Sequence, residues 1–362
     1  MKGAAVFPGD HTLRVVADVP EPKLAGPTDV KLRILQVGIC ATDREIANCV
    51  FGTPPEGFNY LVLGHEGFAE IVEAGPEAMG LQPGDLVVPT VRRPCDDPAC
   101  IACRNDRPDF CLTGTYREHG IQGMHGFMTE FVVDDARFMR KTPPEIRDAA
   151  VLVEPLTIAE KAFIQADKIQ MRLPWDQPAP HAVVLGAGPV GLLGAMALRH
   201  RGCEVTVYSR EREPDPRVDI TRAIGAKYVS SRDCTLAQMA AGIGNIDLVY
   251  EATGSARLAF DVLNVLGRNG IFILTGVPGA HGPEAVDLGA LITNMTLKNQ
   301  CLLATVNAGN DAFERAITDL TEFCLKWPDA VRGLITGRFS LDQFETPLRN
   351  TAGIKNIIEV AS

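Results

Sequence analysis

The sequence predicts a two-domain α/β protein, an irregular β domain joined to a doubly wound parallel sheet, and three observations carry that expectation. The chain has 362 residues, beyond the roughly 250–300 at which one hydrophobic core stops growing. Up to about residue 155, short β-rich runs alternate with turn clusters and show no helical periodicity. From Ala182 onward strands alternate with helices, a pattern that requires a parallel sheet covered on both faces.

Taken in order, the β-rich runs are Val30–Val37, Gly67–Val72, Asp85–Pro89 and Met128–Val133. The stretch Arg172–Pro180, with three prolines, reads as a surface loop. It leads into the apolar strand AVVLG from Ala182, a helix from Pro189, a strand at Glu204–Ser209 and a helical stretch containing Val218–Ile224. Further strands are expected at Lys227–Ser230, Ile246–Thr253, Gly270–Gly276 and Cys301–Val306. An edge strand near Gly270–Gly276 would allow two copies to join sheet to sheet, as a dimer or tetramer. After Asn307 come the helical DAFERAITDLTEFCLKW, a helix near Leu341–Leu348 and a final strand, IKNIIEVA, expected to complete the first domain. Residues 1–155 and 309–362 therefore form one domain and 156–308 the other.

Acidic residues number 45 against 35 basic ones, a formal charge of −10. No Lys/Arg cluster breaks that balance, so nucleic acid and anionic membrane are excluded as partners and a small molecule is expected. The segment Ala182–Leu198 is apolar but too short and glycine-rich to span a bilayer. The N-terminus lacks the apolar stretch of a signal peptide, so the protein is expected in the cytosol, where ten cysteines point to metal or redox chemistry rather than a disulfide framework.

Gly186-Ala187-Gly188-Pro189-Val190-Gly191 matches G-x-G-x-x-G directly after a strand and before a helix. The first glycine permits the turn, the second lets a pyrophosphate approach the backbone, and the third lets helix pack on strand. A buried glycine-rich turn without ligand would carry the same residues, but the βαβ pattern that follows favours a dinucleotide. The next strand ends at Ser209, followed by Arg210 and Arg212, where a site for NAD carries an acidic residue. A hydroxyl with arginines suits a 2′-phosphate, so NADP is expected ahead of NAD, unless these arginines merely pair with Glu211 and Glu213 in solvent.

Cys95, Cys100, Cys103 and Cys111 follow the spacing C-x4-C-x2-C-x7-C in a lobe at about 92–113, close enough for four thiolates to surround one structural zinc. The insertion Asp96-Asp97 leaves Asp97 as an alternative first ligand. A second set is dispersed: Cys40 in GICATD, His65-Glu66 in LGHEG and Glu154 in LVEPL. Singly, each has a structural reading as core, turn or cap.

Together with the nucleotide turn, these strings resemble the zinc-dependent medium-chain dehydrogenases over essentially the whole chain. The more specific strings GIC-x-TDREI, LVLGHE, RPDFC, GIQGMHGFM, LGRNG and the VNA at Val306–Ala308 are similar to those of the archaeal-type glucose dehydrogenases. The resemblance implies a GroES-like irregular β catalytic domain beside a Rossmann domain, and a catalytic zinc held by Cys40, His65 and Glu154, with Glu66 entering or leaving its shell. It further implies that substrate hydroxyls meet Thr42, Glu118, Glu154 and Asn307, and that Thr253, Val277 and Thr305–Asn307 hold the nicotinamide half. The implied reaction oxidises the sugar's C1 hydroxyl to the lactone in the cleft between the domains, Thr42 passing the proton outward and the nicotinamide taking the hydride. Val91 stands before the paired Arg92-Arg93 where some relatives carry Asn, so one sugar contact is missing.

Two other readings accommodate the same residues. A galactose, sorbitol, threonine or simple-alcohol dehydrogenase would share nearly all the ligands, although Glu118 and Asn307 favour a polyhydroxylated substrate. A non-catalytic NADPH-binding protein on the same scaffold would not need the retained zinc ligands.

Overall fold

Along Asp29–Gly38, buried Val30, Leu32 and Ile34 alternate with half-buried Asp29, Lys31 and Arg33, the period-two pattern of a strand with one face in the core. In the computed structural model, which describes residues 1–279, 282–283 and 285–361, this strand is central to the sheet of the first unit. Its neighbours run Met139–Lys141, Leu86–Pro89, Glu66–Ala74, Asp29–Gly38, Lys355–Glu359, Ile335–Ser340, with Phe131–Asp135 also pairing on Asp29–Gly38. The last strand joins antiparallel, Ile358 opposite Val37, so the chain's final residues complete a sheet begun near its start. The core between these strands holds Leu32, Ile34, Ile71, Val87, Phe127 and Ile358.

Two local features differ from the sequence expectation. A short helix, Ala41–Ala47, interrupts the β-rich region; seven residues are too few to display a helical period. The helix expected near Leu341–Leu348 divides into a 3-10 turn, Leu341–Gln343, and a helix, Glu345–Arg349. The break falls at Phe344, whose side chain is committed to the core.

The second unit is a six-stranded, all-parallel sheet in the order Lys227–Ser230, Glu204–Ser209, His181–Leu185, Leu248–Glu251, Ile271–Leu274, Cys301–Ala304. The order reverses beside His181–Leu185, the topological switch point at which such sheets bind ligands. Ile271–Leu274 lies between two strands, so the expected edge near Gly270–Gly276 is interior; the edges are Lys227–Ser230 and Cys301–Ala304. Strand order depends on the crossovers, which periodicity does not encode.

The first unit comprises Met1–Thr157, Asn307–Cys324 and Ile335–Ser362, the second Ile158–Val306 and Leu325–Leu334. The return of residues 309–362 is therefore not one piece. The helix Pro328–Leu334 buries Ala330, Val331 and Leu334 in the second unit, where Gly333 approaches Ile220 on the helix Pro216–Ala223. Among the described residues no helix is long and apolar enough to cross a membrane.

One buried charge network positions the strand Arg117–His119. Asp134 accepts from Arg93 Nε at 3.0 Å and pairs with His119 Nε2 at 2.9 Å. Burial alone would raise the Asp134 pKa, but Arg93 and His119 outweigh it and hold the carboxyl well below its usual range. A depressed folded-state pKa contributes stability above the unfolded value, about 4, and that stability is lost as pH falls through the folded value. Asp134→Asn should therefore cost about 3–5 kcal/mol at neutral pH by leaving Arg93 unpaired. The gap from the parent, followed by urea denaturation, should narrow below about pH 3; a gap independent of pH would show that the network is not electrostatic.

Candidate active site

The dispersed set converges at the end of the strand Asp29–Gly38. A Cβ on Gly38 would lie 1.9 Å from Glu66 Oε2, so this glycine makes room for the carboxylate. Cys40 caps the helix Ala41–Ala47, and its backbone N–H donates to Asp43 Oδ2 at 2.8 Å. The other Asp43 oxygen lies 3.3 Å from His65 Nδ1, which leaves Nε2 as the nitrogen that could bind a metal. One fully buried carboxylate thus ties down the Cys40 backbone and faces the His65 ring, a carboxylate–histidine arrangement that fixes tautomer and ring angle at metal sites.

Ligand atoms of Cys40, His65 and Glu66 all lie within 4.8 Å of one another. Glu154, the second residue of the helix Val153–Gln170, is buried but falls outside that group. Burial pushes its carboxyl up to about 7, the His65 charge opposing and the Glu66 charge reinforcing the shift. Burial alone would lower the His65 pKa, yet Asp43 and the Cys40 sulfur raise it well above the usual value. A mixed S, N and O set with an under-compensated buried carboxyl fits zinc. Thr42 is half-buried in the first turn of Ala41–Ala47.

Lys355 is the feature of this site that sequence reading did not find. Only 1% exposed, its Nζ donates to Glu66 Oε1 at 2.7 Å, to Oε2 at 2.5 Å and to the carbonyl of Ile39 at 3.1 Å. Asp43 was legible in principle, because the third residue after a cap commonly returns a carboxylate to the cap's N–H.

A second polar cluster surrounds Glu118. Arg92 Nε donates to its Oε1 at 2.9 Å and Asn307 Nδ2 to the same oxygen at 3.0 Å. Oε2 receives no hydrogen bond from the described residues and can accept from a ligand. Asn307 holds a left-handed backbone, φ 58°, a conformation asparagine tolerates better than most residues. Val91 is buried and contributes a carbonyl to His119 N–H, with no polar side chain to offer.

In the lobe, the sulfurs of Cys95, Cys100, Cys103 and Cys111 all lie within 4.8 Å of one another, with Cys95–Cys103 at 3.6 Å and Cys100–Cys111 at 4.0 Å. Four thiolates at the Zn–S bond length would stand about 3.8 Å apart in a tetrahedron. Asp97, the alternative first ligand, instead accepts the Ala99 N–H at 2.8 Å. Against a burial that would raise it, Thr113 and Gly114 draw Cys111 down to about 6, while burial and the neighbouring thiols push Cys103 up to about 12. A divalent cation among the four sulfurs would stabilise them as thiolates, Cys103 included.

In the second unit, Gly186 turns with φ +98°, and a Cβ on Gly191 would lie 2.2 Å from the Gly186 carbonyl. A Cβ on Gly188 would meet nothing, which is the open approach a pyrophosphate needs at the start of the helix Pro189–His200 containing Val190. Gly186, Gly188, Ser209, Arg210, Arg217 and Thr253 help line a groove of about 880 Å3. Val277 follows the strand Ile271–Leu274 and Thr305 the strand Cys301–Ala304, at the carboxyl ends where such sheets bind ligands. Arg212, expected beside Arg210, instead bonds Asp233 Oδ1 at 2.5 Å and Oδ2 at 3.1 Å; Arg217 lines the groove in its place.

Comparison with known proteins agrees with both units. Residues 26–144 match the alcohol dehydrogenase GroES-like domain and residues 147–360 the glucose dehydrogenase C-terminus. A glucose 1-dehydrogenase of Methanocella arvoryzae is 36% identical, covering 100% of both chains. One from Thermoproteus tenax is 40% identical over 89% of this chain and 88% of its own. The structure of Haloferax mediterranei glucose dehydrogenase in complex with NADP, Zn and gluconolactone matches with a TM-score of 0.89 at 34% identity, covering 100% of each chain. Galactitol-1-phosphate dehydrogenase of Escherichia coli, at 21% identity and a TM-score of 0.82, shares the fold. With one family model spanning more than half of the chain and relatives aligned along its full length, the chain belongs to the glucose dehydrogenases of the zinc-dependent medium-chain type.

Proposed function

We propose that this protein oxidises the C1 hydroxyl of D-glucose to the lactone and passes the hydride to NADP. The observation that carries the reading is the convergence of Cys40, His65 and Glu66 within 4.8 Å in a chain of the glucose dehydrogenase family. Cys40, His65 and Glu154 would hold the catalytic zinc, with Glu66 exchanging between that shell and Lys355. Zinc bound there supplies a Lewis acid that lowers the pKa of the sugar's C1 hydroxyl. NADP in the groove of the second unit supplies the hydride acceptor.

The remaining work belongs to this chain's own groups. Asp43 holds His65 and Cys40 in orientation; Thr42 relays the C1 proton outward. Glu118 Oε2 accepts a sugar hydroxyl, with Arg92 and Asn307 fixing the carboxylate from its other oxygen. Gly188 and the first N–H groups of the helix Pro189–His200 receive the pyrophosphate, and Thr253, Val277, Thr305 and Asn307 serve the nicotinamide half. Cys95, Cys100, Cys103 and Cys111 hold a structural zinc. A homo-oligomer agrees with the exposed edge at Cys301–Ala304, where Leu302 is 47% exposed.

Initial rates of NADP reduction across aldoses and open-chain polyols test the substrate. Glucose should exceed sorbitol by at least about tenfold in kcat/KM, because a site built to hydrogen-bond particular hydroxyls rejects partners that leave them unpaired. Equal or better activity on a polyol overturns the glucose assignment while keeping the reaction class.

A further inference from the structure

The end of the strand Glu204–Ser209 is not arranged as a pure 2′-phosphate site. Ser209 Oγ accepts the Ala187 N–H at 3.2 Å and gives its single proton to Glu211 Oε2 at 2.6 Å. The hydroxyl of Tyr228, on the neighbouring strand Lys227–Ser230, lies 3.3 Å from the same oxygen and 3.1 Å from the Glu211 carbonyl. Arg210 Nε stands 3.6 Å from Glu211 Oε1, with the arginine side chain 80% exposed. Glu211 lines the dinucleotide groove beside Arg210 and Arg217.

These contacts define what the site prefers. A serine whose proton is committed to a carboxylate must break that bond before it can donate to a phosphate. The carboxylate itself repels a phosphate at this range, and a neutral hydroxyl suffers no such repulsion. Glu211 also lies twenty residues beyond Gly191, close to the spacing at which an acidic residue takes the ribose 2′-hydroxyl of NAD. Burial would raise its pKa, but Ser209, its own backbone N–H and then Arg217 and Arg210 outweigh burial and keep it below the usual value.

We propose that Glu211 is the cofactor-selecting residue of this chain: its carboxylate accepts the ribose 2′-hydroxyl of NAD and opposes the 2′-phosphate of NADP. The chain therefore binds both dinucleotides, with Arg210 drawing the balance toward NADP. When NADP binds, the Ser209 hydroxyl turns from Glu211 to the phosphate and Glu211 moves aside. The inference rests on the dehydrogenase reading above.

Equilibrium titration calorimetry of the full chain with NADP, NAD and 2′,5′-ADP tests it without turnover. In the parent, the Kd values for NADP and NAD should lie within about tenfold of each other. Glu211→Gln should tighten NADP and 2′,5′-ADP about tenfold and weaken NAD about tenfold, and Arg210→Ala should shift the ratio the opposite way. Glu211→Ser serves as a second, smaller replacement. If the parent binds dinucleotide but neither Glu211 variant changes the NADP/NAD ratio, the selector role is overturned and the dehydrogenase reading stands. If the parent binds neither dinucleotide, the dehydrogenase reading falls and the selector role with it.

Discussion

Replacing His65 with alanine should reduce the metal content from two zinc to one per chain and lower kcat/KM for glucose by at least about 10³-fold. The metal's charge stabilisation is worth several kcal/mol, and each 1.4 kcal/mol is a factor of ten. In the proposed site His65 is the ligand that no neighbour would replace. Glu66 already has Lys355 as a partner, whereas His65 is held by Asp43 with one ring nitrogen left for metal. Asp43→Asn should be milder, about 10- to 100-fold, because it leaves the ligand in place and removes only its orientation. Cys103→Ser serves as the control: it should lose the lobe's zinc and leave the other. Metal analysis and steady-state rates on the same preparations decide the matter. A His65→Ala protein that kept two zinc ions and a rate within tenfold of the parent would remove the catalytic site described above.

The parts of this site legible in the sequence are those whose physics is local. The glycine turn needs neighbours within six residues, and the four lobe cysteines fall between Cys95 and Cys111. Even the dispersed candidates Cys40, His65 and Glu66 sit in short strings, GICATD and LGHEG, that carry a resemblance. What escaped depends on distant partners. Lys355 lies 289 positions from Glu66, in a run that reads only as a final strand. Glu211 reads as one of several charges in a loop until Ser209 and Tyr228 are seen to converge on it. The sheet edges at Lys227–Ser230 and Cys301–Ala304 and the helix Pro328–Leu334, which joins the second unit, depend on how the chain crosses over and returns.

Lys355→Met should destabilise the metal-free protein by about 3–5 kcal/mol, because it strands the Glu66 carboxylate in the core without its counter-charge. Burial alone would lower the lysine's pKa, but Glu66 and Cys40 outweigh it and raise it. A raised lysine pKa contributes stability that is fully present below the unfolded value, about 10.4, and is lost only as pH rises through the folded value. The lysine's own contribution in the parent is consequently undiminished between pH 6 and 9. Zinc should narrow the deficit, since a cation beside Cys40 and His65 gives Glu66 a second source of positive charge. Adding Glu66→Gln should recover most of the loss, because removing both charges is far less costly than removing one. Guanidinium denaturation of the parent, the single variant and the double variant, each with and without zinc, separates these effects. A single variant within about 1 kcal/mol of the parent would show that Glu66 does not depend on Lys355, and a deficit that zinc leaves untouched would show that Glu66 does not exchange between the lysine and the metal.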